Sequence, residues 1–382
     1  MSDGPQAPPP LPRFEATTRV FARALGWSPE ELLQRFRPAA ADDRAALLAF
    51  RNRTHWDDDA YIAWRYGVGR PEHGYGQVWI LRHQDGPVFA AIGMEQQPIR
   101  HAGRIHRGQL LMDVQIDPGL EGAGGGVWLN QAMFRHGDAT LAVGGNPKSI
   151  GMVRRLFAPL PSRHLYILPL DAAAALRRRG VPSPLAAMAG KAMDTGWRLR
   201  TRWLAPRAAG DLRVEEVERV SDAWLQPLYA SLSPQTACIA PEAAHLQWRL
   251  RDNPRARYRI FVAWRGEHCV GYLAARRVSM GHEAEYGLHV QDWKVAHADD
   301  STALAALLAH AAAQARKDGC SKMFTTCLAP GAEPVLTRCG FLPGRTTPHF
   351  AVGLHASPSD PGLSAAHPWQ ITDLSFDGDG CF

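Results

Sequence analysis

The run Asp113-Val-Gln-Ile-Asp-Pro-Gly-Leu-Glu-Gly-Ala-Gly-Gly-Gly-Val-Trp-Leu129 joins a β-rich segment to a helical pattern through a bend dense in glycine. Gln109 to Ile116 reads as a strand that has ended by Pro118, and Gly122, Gly124, Gly125 and Gly126 lead into a helix expected over Val127 to Arg135. Glycine permits positive φ and lets a ligand approach the main chain closely, while the first amides of a helix point at whatever anion lies before it. Strand, bend and helix in this order make a pyrophosphate cradle, against the competing reading of a plain glycine-rich turn. No Gly-Lys-Ser or Gly-Lys-Thr follows, so the run is not a P-loop, and it lacks the amino-terminal strand-loop-helix setting of a dinucleotide fingerprint. The candidate anion ligands are the main-chain amides of Glu121, Gly122, Ala123, Gly124, Gly125, Gly126 and Val127.

Working outward, the chain compares with itself. Trp64 and Trp248, each followed by arginine, lie 184 positions apart, as do Phe157 and Phe341, and Tyr166 and Phe350. Self-similarity at a constant offset marks a repeated fold. After each Trp-Arg pair come two β-rich segments, Gln77 to Leu81 and Val88 to Ile92 in the first copy, Arg259 to Trp264 and Cys269 to Ala274 in the second. A further strand follows, Gln109 to Ile116 or Glu285 to Val290, then a helix, Val127 to Arg135 or Thr302 to Lys317. The first copy closes with a strand at Thr140 to Val143, a short helix at Ser149 to Leu156 and a last strand at His164 to Leu168. Strands alternating with helices imply an α/β (α+β) fold, with a mixed twisted sheet flanked by helices in each copy. The second copy's counterpart of the cradle, Asp292 to Ser301, has no glycine and carries Asp292, Asp299 and Asp300, which oppose phosphate sterically and electrostatically.

Composition bounds the function. The chain has 382 residues, 46% hydrophobic and 21% charged, with a formal charge of +6. That length suits two domains, and the composition is that of a globular chain. The mild basic excess fits a polyanionic small molecule and is thin for a dedicated nucleic-acid binder. No two of Cys238, Cys269, Cys320, Cys327, Cys339 and Cys381 are spaced Cys-x-x-Cys, so reduced cytoplasmic thiols are expected rather than a zinc or disulfide framework. Met1 to Arg13 is proline-rich and reads as a disordered leader, and no run is long and apolar enough to span a bilayer. Between the copies, Asp171 to Gly210 carries Arg177, Arg198, Arg200, Arg202 and Arg207 against few acids. It reads as a solvated helical linker or as a peripheral surface for anionic lipid or a phosphorylated ligand.

The cradle resembles the signature of the GNAT acyltransferases, which transfer an acyl group from acyl-CoA to an amine. In that signature a strand and a proline precede Arg or Gln-x-x-Gly-x-Gly or Ala at a helix start, and Gly124 and Gly126 fall on its two small positions. Glu121 stands where Arg or Gln is usual. Leu141-Ala-Val-Gly-Gly-Asn-Pro-Lys-Ser-Ile-Gly-Met-Val-Arg-Arg-Leu-Phe157 is similar to the family's fifth strand, its asparagine and the following helix. The resemblance implies a tandem pair of GNAT-like folds with these parts: a leader and entry segment over 1–34, a domain with the acyl-CoA cradle over 35–170, a basic linker over 171–210, a degenerate domain over 211–355, and a clasp and tail over 356–382. It implies acetyl-CoA or another acyl-CoA as donor, no metal, and a small-molecule amine as acceptor, whether a simple amine, an amino sugar or an amino-acid derivative. Main-chain groups of Val114, Gln115 and Ile116 would then lie along the acyl arm, with Asn146 and Ser149 beside the pantetheine and thiol.

Aminolysis of a thioester requires a base for the ammonium proton and a donor to polarise the carbonyl. Asp113, just before the cradle, is the candidate base; pairing with Arg104 or Arg107 is its structural alternative. Asn146 is the second catalytic candidate. No tyrosine accompanies Met152 and Val153 to protonate the leaving thiolate, which leaves water, or Tyr286 or His289 of the second copy. Two other functions compete: a peptidoglycan-type aminoacyl-transferase using aminoacyl-tRNA, which the tandem layout also resembles, and a catalytically inactive CoA-binding scaffold.

Overall fold

The computed structural model describes residues 13–53, 58–68, 75–84, 86–143, 149–204, 212–280, 285–297, 300–344, 352–357 and 362–375. The chain divides into two compact units. The first comprises Met1–Ile99, Ile105–Pro161 and Pro348–Ala366, and the second Arg100–Arg104, Ser162–Thr347 and His367–Phe382.

The first unit is built on a seven-stranded sheet in the order Arg37–Pro38, Gly76–Arg82, Val88–Gln96, Gly108–Ile116, Ala139–Val143, Val352–Ala356, Ala158–Leu160. Its only parallel pair is Gly108–Ile116 with Ala139–Val143. A parallel pair needs a crossover, which the helix Gly125–Met133 supplies. The apolar run from Val88 to Met94 is buried throughout, which accounts for its lack of alternation. The helix Phe14–Leu25 belongs to this core: Phe21 is fully buried with its ring 5.5 Å from that of Trp128, and Thr18 Oγ1 accepts from Trp128 Nε1 at 2.9 Å. The expected entry segment therefore contains two helices, Phe14–Leu25 and Pro29–Arg35, because Phe14, Thr18, Phe21 and Leu25 recur at helical spacing.

The second unit carries a seven-stranded sheet in the order Leu212–Val217, Tyr258–Arg265, His268–Ser279, Tyr286–Val295, Cys320–Cys327, His164–Pro169, Leu342–Pro343. The crossover helix is Asp300–Lys317, which buries Ala303, Leu304, Leu307, Leu308, Ala311 and Ala315. The helices holding the two Trp-Arg pairs, Asp59–Tyr66 and Ala243–Leu250, occupy the same offset, and both arginines are buried. Arg65 forms an ion pair with Glu95 at 2.7 Å in the core. The basic linker is two helices, Ala172–Arg178 and Ser183–Leu204. Burial pushes the thiols of Cys269 and Cys339 up to about 11. Among the described residues no cluster of His, Cys, Asp and Glu could hold a metal ion.

The sixth strand of each sheet comes from the other side of the sequence division at residues 170 and 211. His164–Pro169, expected to close the first copy, lies between Cys320–Cys327 and Leu342–Pro343 in the second unit. Val352–Ala356 lies between Ala139–Val143 and Ala158–Leu160 in the first. Side-chain alternation identifies a strand and its buried face, and says nothing of which sheet receives it.

The exchange has a direct signature. Leu354→Ala should cost about 2–5 kcal/mol and speed amide exchange in Ala139–Val143, whereas Leu168→Ala should do so in Cys320–Cys327. The reverse pattern would contradict the exchange.

Candidate functional site

In the first unit the register of Gly108–Ile116 against Val88–Gln96 shifts: Ala91 faces Gln115 and Gly93 faces Met112. Asp113 and Val114 thus stand opposite Ile92 alone, a β-bulge, with Asp113 at φ 52°. Aspartate tolerates this left-handed conformation better than most residues, and a bulge bends its strand. Along the other edge, parallel pairing runs only from Gly108 to Leu111 against Ala139 to Ala142. Beyond Leu111 no further pairing on this edge is found among the described residues. Val114 projects outward, half exposed, while buried Gln115 donates from Nε2 to the Phe50 carbonyl at 3.1 Å.

Asp113 does not pair with Arg104 or Arg107. Arg107 is bound to Asp138, and the partner of Asp113 Oδ1 is Arg51 Nη2 at 3.1 Å. Its Oδ2 accepts a short hydrogen bond from the hydroxyl of Tyr66. The Asp113 side chain is 10% exposed. A Cβ at Gly93 would come within 2.9 Å of the Tyr66 ring, so glycine opposite the bulge makes room for the ring that reaches Asp113. Burial raises the Tyr66 phenol well above its ordinary range, with Arg51 opposing that effect. Arg51 and Tyr66 were not identified from the sequence. A signal for Tyr66 was present: at the repeat offset its counterpart is Leu250, so the tyrosine distinguishes the two Trp-Arg helices.

The cradle follows at once. Asp117 Oδ1 accepts from Gly119 N at 3.1 Å, opening a 3-10 turn over Pro118–Ala123. Gly124 sits at φ 76° and starts the helix Gly125–Met133, two residues earlier than expected. The amides of Gly125, Gly126 and Val127 have no acceptor within the helix, whose dipole is positive at this end. Space is open beyond Gly122 and Gly124, where a Cβ would meet nothing within 4 Å. Gly125 is glycine for packing, since a Cβ there would lie 2.1 Å from Ile116 Cδ1 and 2.8 Å from the Phe21 ring. The main chain of Glu121 and Ala123 lies in the 3-10 turn. Ser149 is the half-buried N-cap of Ile150–Leu156, and Met152 Sδ of that helix lies 3.5 Å from where a Gly126 Cβ would be. Asn146 lies outside the described residues.

The second unit repeats the bulge, and there the parallel strands part and the gap between them is filled. Gln291 is the extra residue between Ala274 and Ala275 of the neighbouring strand, and parallel pairing stops at His289 with Phe324. Into the opening comes the segment from Trp369 to Ser375. Ile371 bridges Leu328, and Asp373 accepts from the Thr326 amide at 3.1 Å, contacts His289 Nε2 at 2.7 Å and pairs with Arg163. Gln291 Nε2 donates to the Asp373 carbonyl at 3.1 Å. What stays open is a cavity of about 230 Å³ lined in part by Trp293, Leu304, Gly331 and Gln370. Asp292, expected in a phosphate-repelling loop, is instead a buried strand residue held by Lys294 at 2.9 Å, Thr372 at 2.6 Å and Tyr272. His289 is committed to Asp373, and Tyr286 lies under the Arg277 guanidinium at 3.5 Å.

No protein-family model and no curated protein matches the sequence. Solved structures do. A GCN5-related N-acetyltransferase from Anabaena variabilis aligns with TM-score 0.55 at 11% identity, covering 84% of this chain and 73% of that one. Another from Kribbella flavida aligns at 0.53 and 16% identity, covering 88% and 80%. Saccharomyces cerevisiae N-myristoyltransferase with bound myristoyl-CoA and inhibitors aligns at 0.51 and 9% identity, covering 84% and 79%. The chain has the GNAT-superfamily fold.

Two buried carboxylates should prove costly to disturb. Arg51→Ala strands Asp113 and should cost about 3–5 kcal/mol in urea unfolding, against about 1–2 kcal/mol for Tyr66→Phe; equal losses would refute the ranking. Asp373→Ala strands Arg163 and His289 and should likewise cost about 3–5 kcal/mol, read as faster amide exchange at Thr326 and Leu328.

Proposed function

We propose that the chain is an acyl-CoA-dependent N-acyltransferase whose donor site is the first unit and whose acceptor is a primary amine of a small molecule, amino sugar or amino-acid derivative. The observation that carries this reading is the juxtaposition of a bulged strand, paired in parallel only as far as Leu111 among the described residues, with a helix start opened by Gly124. One feature offers main-chain groups to an extended arm and the other offers amides to its diphosphate. The solved relatives support the reading by name, one of them holding myristoyl-CoA.

In this assignment the amides of Gly122 to Val127, with those of Glu121 and Ala123 in the turn, hold the diphosphate. Val114, Gln115 and Ile116 position the acyl arm, with Ser149 and Asn146 at its reacting end. The donor supplies the thioester. Asp113, paired with Arg51, attracts the acceptor's ammonium and receives its proton directly or through water. Tyr66 and Arg51 are positioning residues that fix the carboxylate's orientation. The second unit takes no donor in this scheme, because Trp369 to Ser375 stands in the equivalent opening.

Thermal melting with acetyl-CoA and longer acyl-CoA esters tests the donor site. The midpoint should rise with at least one ester, and Gly124→Asp should abolish the rise by placing a carboxylate where the diphosphate belongs. No shift with any ester would overturn the proposal. With a panel of amines, thiol release should identify the acceptor class, and Asp113→Asn should lower kcat by about 10²-fold or more with the KM for donor little changed.

A further inference from the structure

The helix Ser183–Leu204 spans 22 residues, about 33 Å at the usual rise. It docks through a narrow stripe. Ala186 and Gly190 are buried, and a Cβ at Gly190 would lie 2.5 Å from the Ala173 main-chain nitrogen, so no larger residue fits. Asp194, one turn on, accepts from the Ala172 amide at 3.1 Å. At about 100° per residue, Leu185, Met188 and Leu199 fall within a sector of about 60° diametrically opposite that stripe. They are 59%, 72% and 53% exposed, and Met193, nearer the docked side, is 52% exposed. Large apolar side chains gathered on one outward face mark an interaction surface.

The charges around this face are mainly basic. Lys191 is exposed on the helix, Arg179 is exposed just after the helix it packs against, and Arg177 on that helix is exposed and lies 3.9 Å from Asp171. The sequence of the long helix also contains Arg198, Arg200 and Arg202, and Asp194, already bound to the Ala172 amide, is its one acid. A self-complementary contact of this face with a second copy would oppose cation to cation. No described helix is long and apolar enough to cross a membrane. We propose that the outward face of Ser183–Leu204 lies on an anionic lipid bilayer, with Leu185, Met188 and Leu199 at the acyl boundary and the basic residues among the headgroups.

The test is co-sedimentation of the full chain with vesicles of phosphatidylcholine alone and of phosphatidylcholine mixed with phosphatidylglycerol. Binding should require phosphatidylglycerol and weaken at high salt. The double variant Met188→Glu with Leu199→Glu should bind at least about tenfold more weakly while melting at the same temperature, since both residues are exposed. The proposal is overturned by absent binding, by equal binding to neutral vesicles, or by an unaffected double variant. Light scattering that shows a dimer dissociated by Met188→Glu overturns it too, and makes the face an interface between copies.

Discussion

The first unit turns on one extra residue in a strand. With Asp113 and Val114 opposite Ile92, Gly108–Ile116 carries a bulge just past Leu111, the last residue of the strand in parallel pairing among the described residues. The bulge places Asp113 at positive φ, a conformation that needs support from outside the strand. Arg51 and Tyr66 supply it by holding the two carboxylate oxygens, and Gly93 leaves the space through which the Tyr66 ring arrives. Strand geometry and side-chain chemistry are therefore one construction.

The second unit shows what becomes of that construction when the gap is given to the chain itself. The bulge is retained at Gln291, yet Gln291 donates to the tail, and Asp373 takes the donors that line the opening. The sequence sets the absence of glycine and three aspartates against phosphate here; in the structure the opening is occupied by the chain itself, with Asp292 buried among Lys294, Thr372 and Tyr272. A cleft filled by its own backbone differs from one closed by charge, because removing charge would not reopen it.

Much of this was legible from residue order. The glycine-dense bend, its strand and the crossover helix were read to within two residues, because glycine at positive φ, a proline after a strand and helical spacing are local properties. The Trp-Arg pairs were matched by offset alone, and both lie on helices. Partner identity was not legible. Asp113 was matched to basic residues near it in sequence, whereas Arg51 lies 62 positions away and meets it only after the sheet forms. The same limit hid the exchange of His164–Pro169 and Val352–Ala356, since an alternating strand looks alike in either sheet. Phe14–Leu25 was missed for another reason: the proline-rich run before it masked a short amphipathic helix.

The exchange also ties a late part of the sequence to the first sheet. Val352–Ala356 is hydrogen-bonded on both edges within the first sheet, between Ala139–Val143 and Ala158–Leu160. Without it Ala139–Val143 would become an edge, Ala158–Leu160, already at the sheet's edge, would lose its pairing with Val352–Leu354, and buried Val352 and Leu354 would leave the core. The first unit thus depends on residues that the chain reaches only after building the second sheet.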